Sequence, residues 1–283
     1  MVNDMLNQIL SWLYYIPIAF VAAMVLMWLG FQIKARLVPP DLPAGQLSPK
    51  QPLKENLPPV VRAYLTENFG DPAVTPATAV LWGRGKFAIR RYPVIGLLWA
   101  PLRWTLIIRP GYEFIWRINL SWYRFSFLIG GDELIKGQAR FLMGKEERKS
   151  ENLNLSQTTM LWLYSLLAAP SAVAADDRLE WQILEDRRVR MRTPFPGERT
   201  WDFNLAFDSS SGDLVHIETS RTTSRTGLAE PFQVRFSNYL QFAENIALPG
   251  KMQAAWGDEF YIKLDVEGVQ YDADIESEME RGV

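Results

Sequence analysis

The sequence predicts a single N-terminal transmembrane helix followed by an α+β domain. In that domain a curved antiparallel sheet, an incomplete β-barrel, wraps over one or two apolar helices. Three observations predict it. No charged residue lies between Asp4 and Lys34. Several later segments alternate apolar and polar residues with period two, as half-buried antiparallel strands do. One strongly apolar segment, residues 157–169, breaks those strands with helical spacing instead. The 283 residues are 48% hydrophobic and 22% charged, which excludes a wholly disordered chain and a polytopic membrane protein.

Residues 1–37 read as a membrane anchor, with the helix over 12–33 (WLYYIPIAFVAAMVLMWLGFQI). About 20 helical residues at ~1.5 Å each span a ~30 Å hydrocarbon core. Trp12, Tyr14 and Tyr15 at one end and Trp28 near the other fit interfacial belts. Pro17 lies near the N-terminal end, where a helix tolerates proline best. Asp4 before the run, and Lys34 and Arg36 after it, argue against a cleaved signal peptide. Those two basic residues favour a single-pass inner-membrane protein with its domain in the cytoplasm, the periplasm being the alternative. Residues 38–59 hold seven prolines and read as a semi-rigid spacer.

Residues 60–283 form the β-rich domain. It opens on a helix, VVRAYLTENF, behind a proline pair. Phe114, Trp116, Ile118 and Leu120 alternate with Ile115, Arg117, Asn119 and Ser121. Trp201, Phe203, Leu205 and Phe207 form a second such row, Phe232, Val234 and Phe236 a third, and Phe260, Ile262, Leu264 and Val266 a fourth. Gly130-Gly131-Asp132, Asp208–Asp213 and Gly250 read as turns between strands. The helix QTTMLWLYSLLAA before Pro170 is too short to span a bilayer and reads as the helix that the sheet wraps.

Several stretches taken together resemble a known family. They are LPPVVRAYL at 57–65, LLWAPLRWTLIIRPGYEFIWRINLSW at 97–122, MLWLYSLLAAPSAVA at 160–174, RLEWQI at 178–183, FNLAFDSSSGDLVHIETSR at 203–221, and the run from PFQVRF to Trp256. In order and spacing they resemble an uncharacterised bacterial family of β-rich proteins, a domain of unknown function. The resemblance implies the lipoprotein-carrier fold (LolA/LolB-like), an incomplete barrel around apolar helices, over residues 56–275. It brings no catalytic residues. The 140–156 segment, with its charged run GKEERKSE, is less typical of the family.

Chemistry-bearing residues are sparse. The absence of cysteine excludes disulfides and thiolate sites, and the single histidine, His216, excludes a histidine metal cluster. A net charge of −2 argues against nucleic acid as a partner. His216 in DLVHIET has no nucleophile motif beside it, and GRGKF at 83–87 lacks the rest of a phosphate loop. No metal and no cofactor are expected. Arg188, Arg190 and Arg192 share one face of a strand, suited either to solvent and neighbouring acids or to an anionic headgroup or partner. Arg90 and Arg91 precede an apolar run and suit the same roles. Phe114, Trp116, Trp201, Phe203, Leu163 and Leu167 are the candidates for lining a ligand site. Two functions follow, both non-enzymatic. One is a membrane-anchored module holding a membrane lipid or other apolar ligand in the half-barrel. The other is an accessory subunit held in a membrane complex by its transmembrane helix. A hydrolase using His216 is the weakest alternative.

Overall fold

The computed structural model describes the chain except residues 1, 47, 93–95, 198, 224–225, 244–245 and 283; for 2–14, 90–92 and 96–97 it describes the backbone alone. Helix α1 spans Val2–Gly30. Strands β1 (Lys50–Gln51) and β2 (Ala73–Val74) pair with each other on either side of helix α2 (Pro59–Phe69). A meander follows: β3 (Ala79–Tyr92), β4 (Gly96–Arg109), β5 (Glu113–Trp122), β6 (Phe125–Ile135), β7 (Gln138–Met143) and β8 (Glu146–Arg148). Helices α3 (Glu151–Ala168) and α4 (Pro170–Ala175) lead to β9 (Glu180–Glu185), β10 (Arg188–Phe195), β11 (Arg199–Phe207) and β12 (Leu214–Thr222). Strands β13 (Ala229–Ala243), β14 (Ile246–Trp256) and β15 (Glu259–Tyr271) and helix α5 (Glu276–Arg281) complete the chain.

Thirteen strands form one antiparallel sheet in the order β8-β7-β6-β5-β4-β3-β15-β14-β13-β12-β11-β10-β9. The two meanders join through β3 and β15, paired from Tyr271 against Ala79 to Ile262 against Phe87 with one register shift between Val266 and Gly268. Gly83 and Gly85 allow that junction: a Cβ on either would lie 1.9 or 2.2 Å from a carbonyl oxygen of β15. The GRGKF glycines therefore serve close strand approach rather than phosphate. The chain leaves the sheet at one edge, β8, and re-enters at the other, β9. Helices α3 and α4 make that crossing inside the curl of the sheet.

Ser150 caps α3, its hydroxyl accepting from the Leu153 N–H at 3.1 Å, so the helix begins six residues before the expected apolar segment. From Met160 to Ala168 every residue is buried, because sheet lies on several sides of the helix. Tyr64 of α2 packs edge-on against Phe69 and Tyr239 at one end of the core. A smaller core lies on the convex side, where Ile275 and Met279 at α5 cover Val80, Ile107 and Ile115. That is why β5 is buried on both faces, although its sequence alternates. Arg117, on its outer face, pairs with Glu278 at 2.5 Å.

Several expectations need correction. Among the described residues no helix is long and apolar enough to cross a membrane. The uncharged run suggested a helix over 12–33, but α1 stops at Gly30. The β5–β6 hairpin closes the end of α1: Trp122 Nε1 donates to the Met27 carbonyl at 3.0 Å, the Tyr123 hydroxyl to Leu26 at 2.8 Å, and the Tyr123 N–H to Gly30 at 3.1 Å. These donors satisfy carbonyls that a helix end leaves unpaired. The transmembrane anchor and the single-pass inner-membrane localisation fall with that helix, and with them the expected means of holding the chain in a membrane complex. The class is also mostly sheet rather than α+β; the sheet is open, with β8 and β9 at its edges.

Two smaller differences bear on the site. Gly130-Gly131-Asp132 is not a turn but lies within β6, and Gly250 lies within β14. The glycine pair is needed because β5 and β7 press on β6: a Cβ on Gly131 would lie 2.1 Å from the Trp116 carbonyl oxygen. The proline-rich segment is bonded to the domain. Gly45 N–H donates to the Asp272 carbonyl at 2.7 Å, Ser48 donates twice to the Asp272 carboxylate at 2.7 Å, and Leu53 and Leu57 are buried.

Candidate functional site

The inner face of the curled sheet is apolar almost throughout, and it is interrupted at one place. Trp116 of β5 and Asp132 of β6 are directly cross-strand, and Asp132 in turn faces Phe141 of β7. Arg221 near the end of β12 approaches the same place from the other half of the sheet. In the strand order β6 and β12 are seven strands apart, ~34 Å in a flat sheet at ~4.8 Å per strand. Curling brings both to one cavity of about 210 Å³, lined also by Ser156, Gln157, Met160 and Tyr164 of α3 and by Phe87, Met143, Trp256 and Tyr261. A narrower apolar extension of about 20 Å³ continues between α3 and β13–β15, past Leu163, Val234, Met252 and Leu264.

The polar groups of this cavity are buried and incompletely paired. Arg221 Nε donates to Ser156 Oγ at 3.0 Å, and its guanidinium lies 5.1 Å from the ring centres of both Phe232 and Trp256. No carboxylate of the described residues lies within 4 Å of it, whereas Arg84, Arg117 and Arg140 all pair with glutamates. Burial pushes the Asp132 carboxyl up to about 6, and the nearby Arg221 and Gln157 oppose that only in part. Burial likewise raises the hydroxyls of Tyr164 and Tyr261, which stay protonated at neutral pH. Two buried atoms lining the cavity lack a partner, the Trp116 indole N–H and Gln157 Oε1. Native interiors pair nearly all such atoms, so each points to a group that completes it.

The expected lining residues divide. Trp116 and Leu163 line the cavity or its extension. Phe114, Phe203 and Leu167 are packed into the core, Phe114 edge-on to Tyr164 at 5.0 Å. Trp201 stacks on Phe195 at 4.6 Å, with its Nε1 donating to the Ser220 carbonyl at 2.6 Å. Arg188, Arg190 and Arg192 lie on the convex face, opposite the buried Val189 and Met191. There they meet Glu185 at 3.8 Å, Asp202 at 3.5 Å and 3.0 Å, and Glu180 at 3.4 Å. The side chains of Arg90 and Arg91 lie outside the described residues. His216 Nε2 lies 3.1 Å from Gln233 Oε1, and among the described residues no group of acids and histidine could hold a metal ion.

Sequence reasoning missed Asp132, Arg221, Ser156 and Gln157. A signal for two of them existed. Arg221 is in phase with the buried Ile217, and Asp132 with the buried Leu134, so period two places both charges on the core face. A larger depression of about 590 Å³ lies beside α5, lined by Arg109, Glu113, Glu133, Arg140 and Glu276. Those charges already pair with one another, so it offers a ligand little.

A family described as a family of unknown function, DUF6544, matches residues 48–264. No curated protein matches the chain. Among solved structures, the chain is similar to an outer membrane lipoprotein-sorting protein domain from Vibrio parahaemolyticus. The identity is 8% and the TM-score 0.43, over 72% of this chain and 90% of that one. It is also similar to the Pseudomonas aeruginosa MucA/MucB complex, with 8% identity and a TM-score of 0.20, over 79% of this chain and 95% of that one. Both scores lie below 0.5, so fold and site rest on this chain's own geometry.

Proposed function

The chain belongs to the DUF6544 family of unknown function, and from that premise we propose that it binds a lipid or other amphipathic apolar ligand inside the half-barrel, without catalysis. The observation that carries this is the cavity between α3 and the two halves of the sheet. Its walls are aromatic and apolar, yet two of its buried polar atoms, Trp116 Nε1 and Gln157 Oε1, have no partner. Apolar pockets with a few convergent polar groups are the ordinary form of a small-molecule site. The core itself needs neither a buried arginine nor a buried aspartate, since apolar side chains would fill the space at lower desolvation cost. A binding role suits the lining better than a hydrolytic one. Ser156 Oγ accepts from Arg221, and His216 is engaged with Gln233.

The test is binding of N-phenyl-1-naphthylamine, a neutral apolar fluorophore, to the full chain. Saturable 1:1 binding is expected, with energy transfer from Trp116 and Trp256. It should weaken when Met160→Trp narrows the cavity. Absence of saturable binding by the folded protein would overturn the proposal.

A further inference from the structure

The chemistry of the cavity narrows its ligand further, on the premise that it binds one. Arg221 is the only cation among the described lining residues, and its charge persists at every physiological pH. Its Nε donates to Ser156 and a further N–H to the Tyr261 hydroxyl, while its face is covered by Phe232 and Trp256. The guanidinium therefore presents its edge, a fork of N–H donors, without a carboxylate partner. Asp132 in the same cavity offsets part of its charge but lies beyond 4 Å, so the remaining N–H donors are open to an anion.

We infer that the cavity takes a single-chain ligand with one terminal carboxylate, held by the edge of Arg221 with the Trp116 N–H as a further donor. Three properties select this class. The charge must not exceed minus one, because Asp132 already faces Arg221 in the same cavity and a phosphate monoester would add up to two further negative charges beside it. The charged group must be terminal, because a phosphodiester extends on both sides and about 210 Å³ has room for one side. That volume equals roughly seven water-sized groups at ~30 Å³ each, enough for a headgroup and the first carbons of one chain. The apolar extension past Leu163 continues the path, and Met160 and Met252 in its walls are flexible enough to widen it. A planar carboxylate also matches the planar donor fork, where an ammonium or alcohol does not.

The experiment is displacement of N-phenyl-1-naphthylamine from the full chain at pH 7.5 by four twelve-carbon competitors: dodecanoate, dodecan-1-ol, dodecyl phosphate and dodecyltrimethylammonium. Dodecanoate is expected to compete at least about ten-fold better than the alcohol, as a charge-assisted hydrogen bond to arginine implies, and better than the phosphate. Arg221→Met should retain the fluorophore and lose the preference. Arg221→Lys, which keeps the charge without the fork, should retain part of it. Equal competition by dodecanoate and dodecan-1-ol, or stronger competition by the phosphate or the ammonium, overturns the carboxylate and leaves the apolar site standing. So does a preference that survives in Arg221→Met. If the fluorophore does not bind at all, the binding function itself fails first. Should the methionine variant not fold, the four competitors on the wild-type chain still decide.

Discussion

Replacing Asp132 by asparagine should stabilise the protein at neutral pH, and the gain should disappear in acid. The substitution keeps the shape of the side chain and removes its titration. In the folded chain burial raises the carboxyl to about 6, the net result after Arg221 and Gln157 have acted in its favour. In the unfolded chain an aspartate titrates near ~3.9. The folded protein therefore holds this proton to higher pH than the unfolded one, and stability falls as pH rises from ~4 through ~6. Two units at ~1.36 kcal/mol each give a penalty of about 3 kcal/mol at pH 7.5, which shrinks below about 1 kcal/mol at pH 4. Urea denaturation of wild type and Asp132→Asn at both pH values isolates this group, because every other carboxyl is common to the pair. Asp208, for example, is held down to about 2 by its bonds from Ser210 and Ser211 and cancels in the comparison. If the variant is the less stable protein at pH 7.5, or if the difference is the same at both pH values, Asp132 is not a desolvated carboxyl at the cavity.

Leu163→Asp and Leu167→Asp should each destabilise by several kcal/mol, on the order of an unpaired buried charge. Both leucines are buried on α3, and melting within a degree or two of wild type would remove that helix from the core. Gly83→Ala places a Cβ 1.9 Å from the Asp265 carbonyl oxygen. It should separate β3 from β15 at a cost of roughly 1–3 kcal/mol, seen as faster amide exchange along that junction; unchanged exchange would refute the close approach. His216→Gln should shift stability by no more than about 0.5 kcal/mol and leave fluorophore binding intact, as for a partly exposed residue whose polar neighbours, Gln233 and Glu218, lie outside the cavity lining. Loss of binding in a folded His216→Gln protein would contradict the site described here.

Reading the sequence alone was enough to find the local elements. Period two along Phe114–Ser121, Trp201–Phe207 and Phe260–Val266 marks real strands, because burial on one face leaves a pattern in neighbouring residues. The proline pair before Val60 and the apolar run to Ala168 mark real helices for the same local reasons. The length of the first helix was not legible, since absence of charge does not state where a helix stops. Its end at Gly30 is decided by the Trp122 and Tyr123 contacts, from residues ninety positions or more away. The covering of the outer face of β5 by α5 is equally non-local.

The site depended most on tertiary structure. In sequence, Gly130-Gly131-Asp132 has the composition of a turn, and only the packing of β5 and β7 against β6 shows that glycine is required there for space. Arg221 ends a strand and resembles any solvated arginine until the sheet curls. Their meeting depends on the accumulated twist and coil of seven intervening strand steps and on the consecutive α3 residues Ser156 and Gln157 between them. Periodicity records which face of a strand is buried. It carries no record of which distant strand that face will meet, and that meeting is what makes two ordinary charges a site.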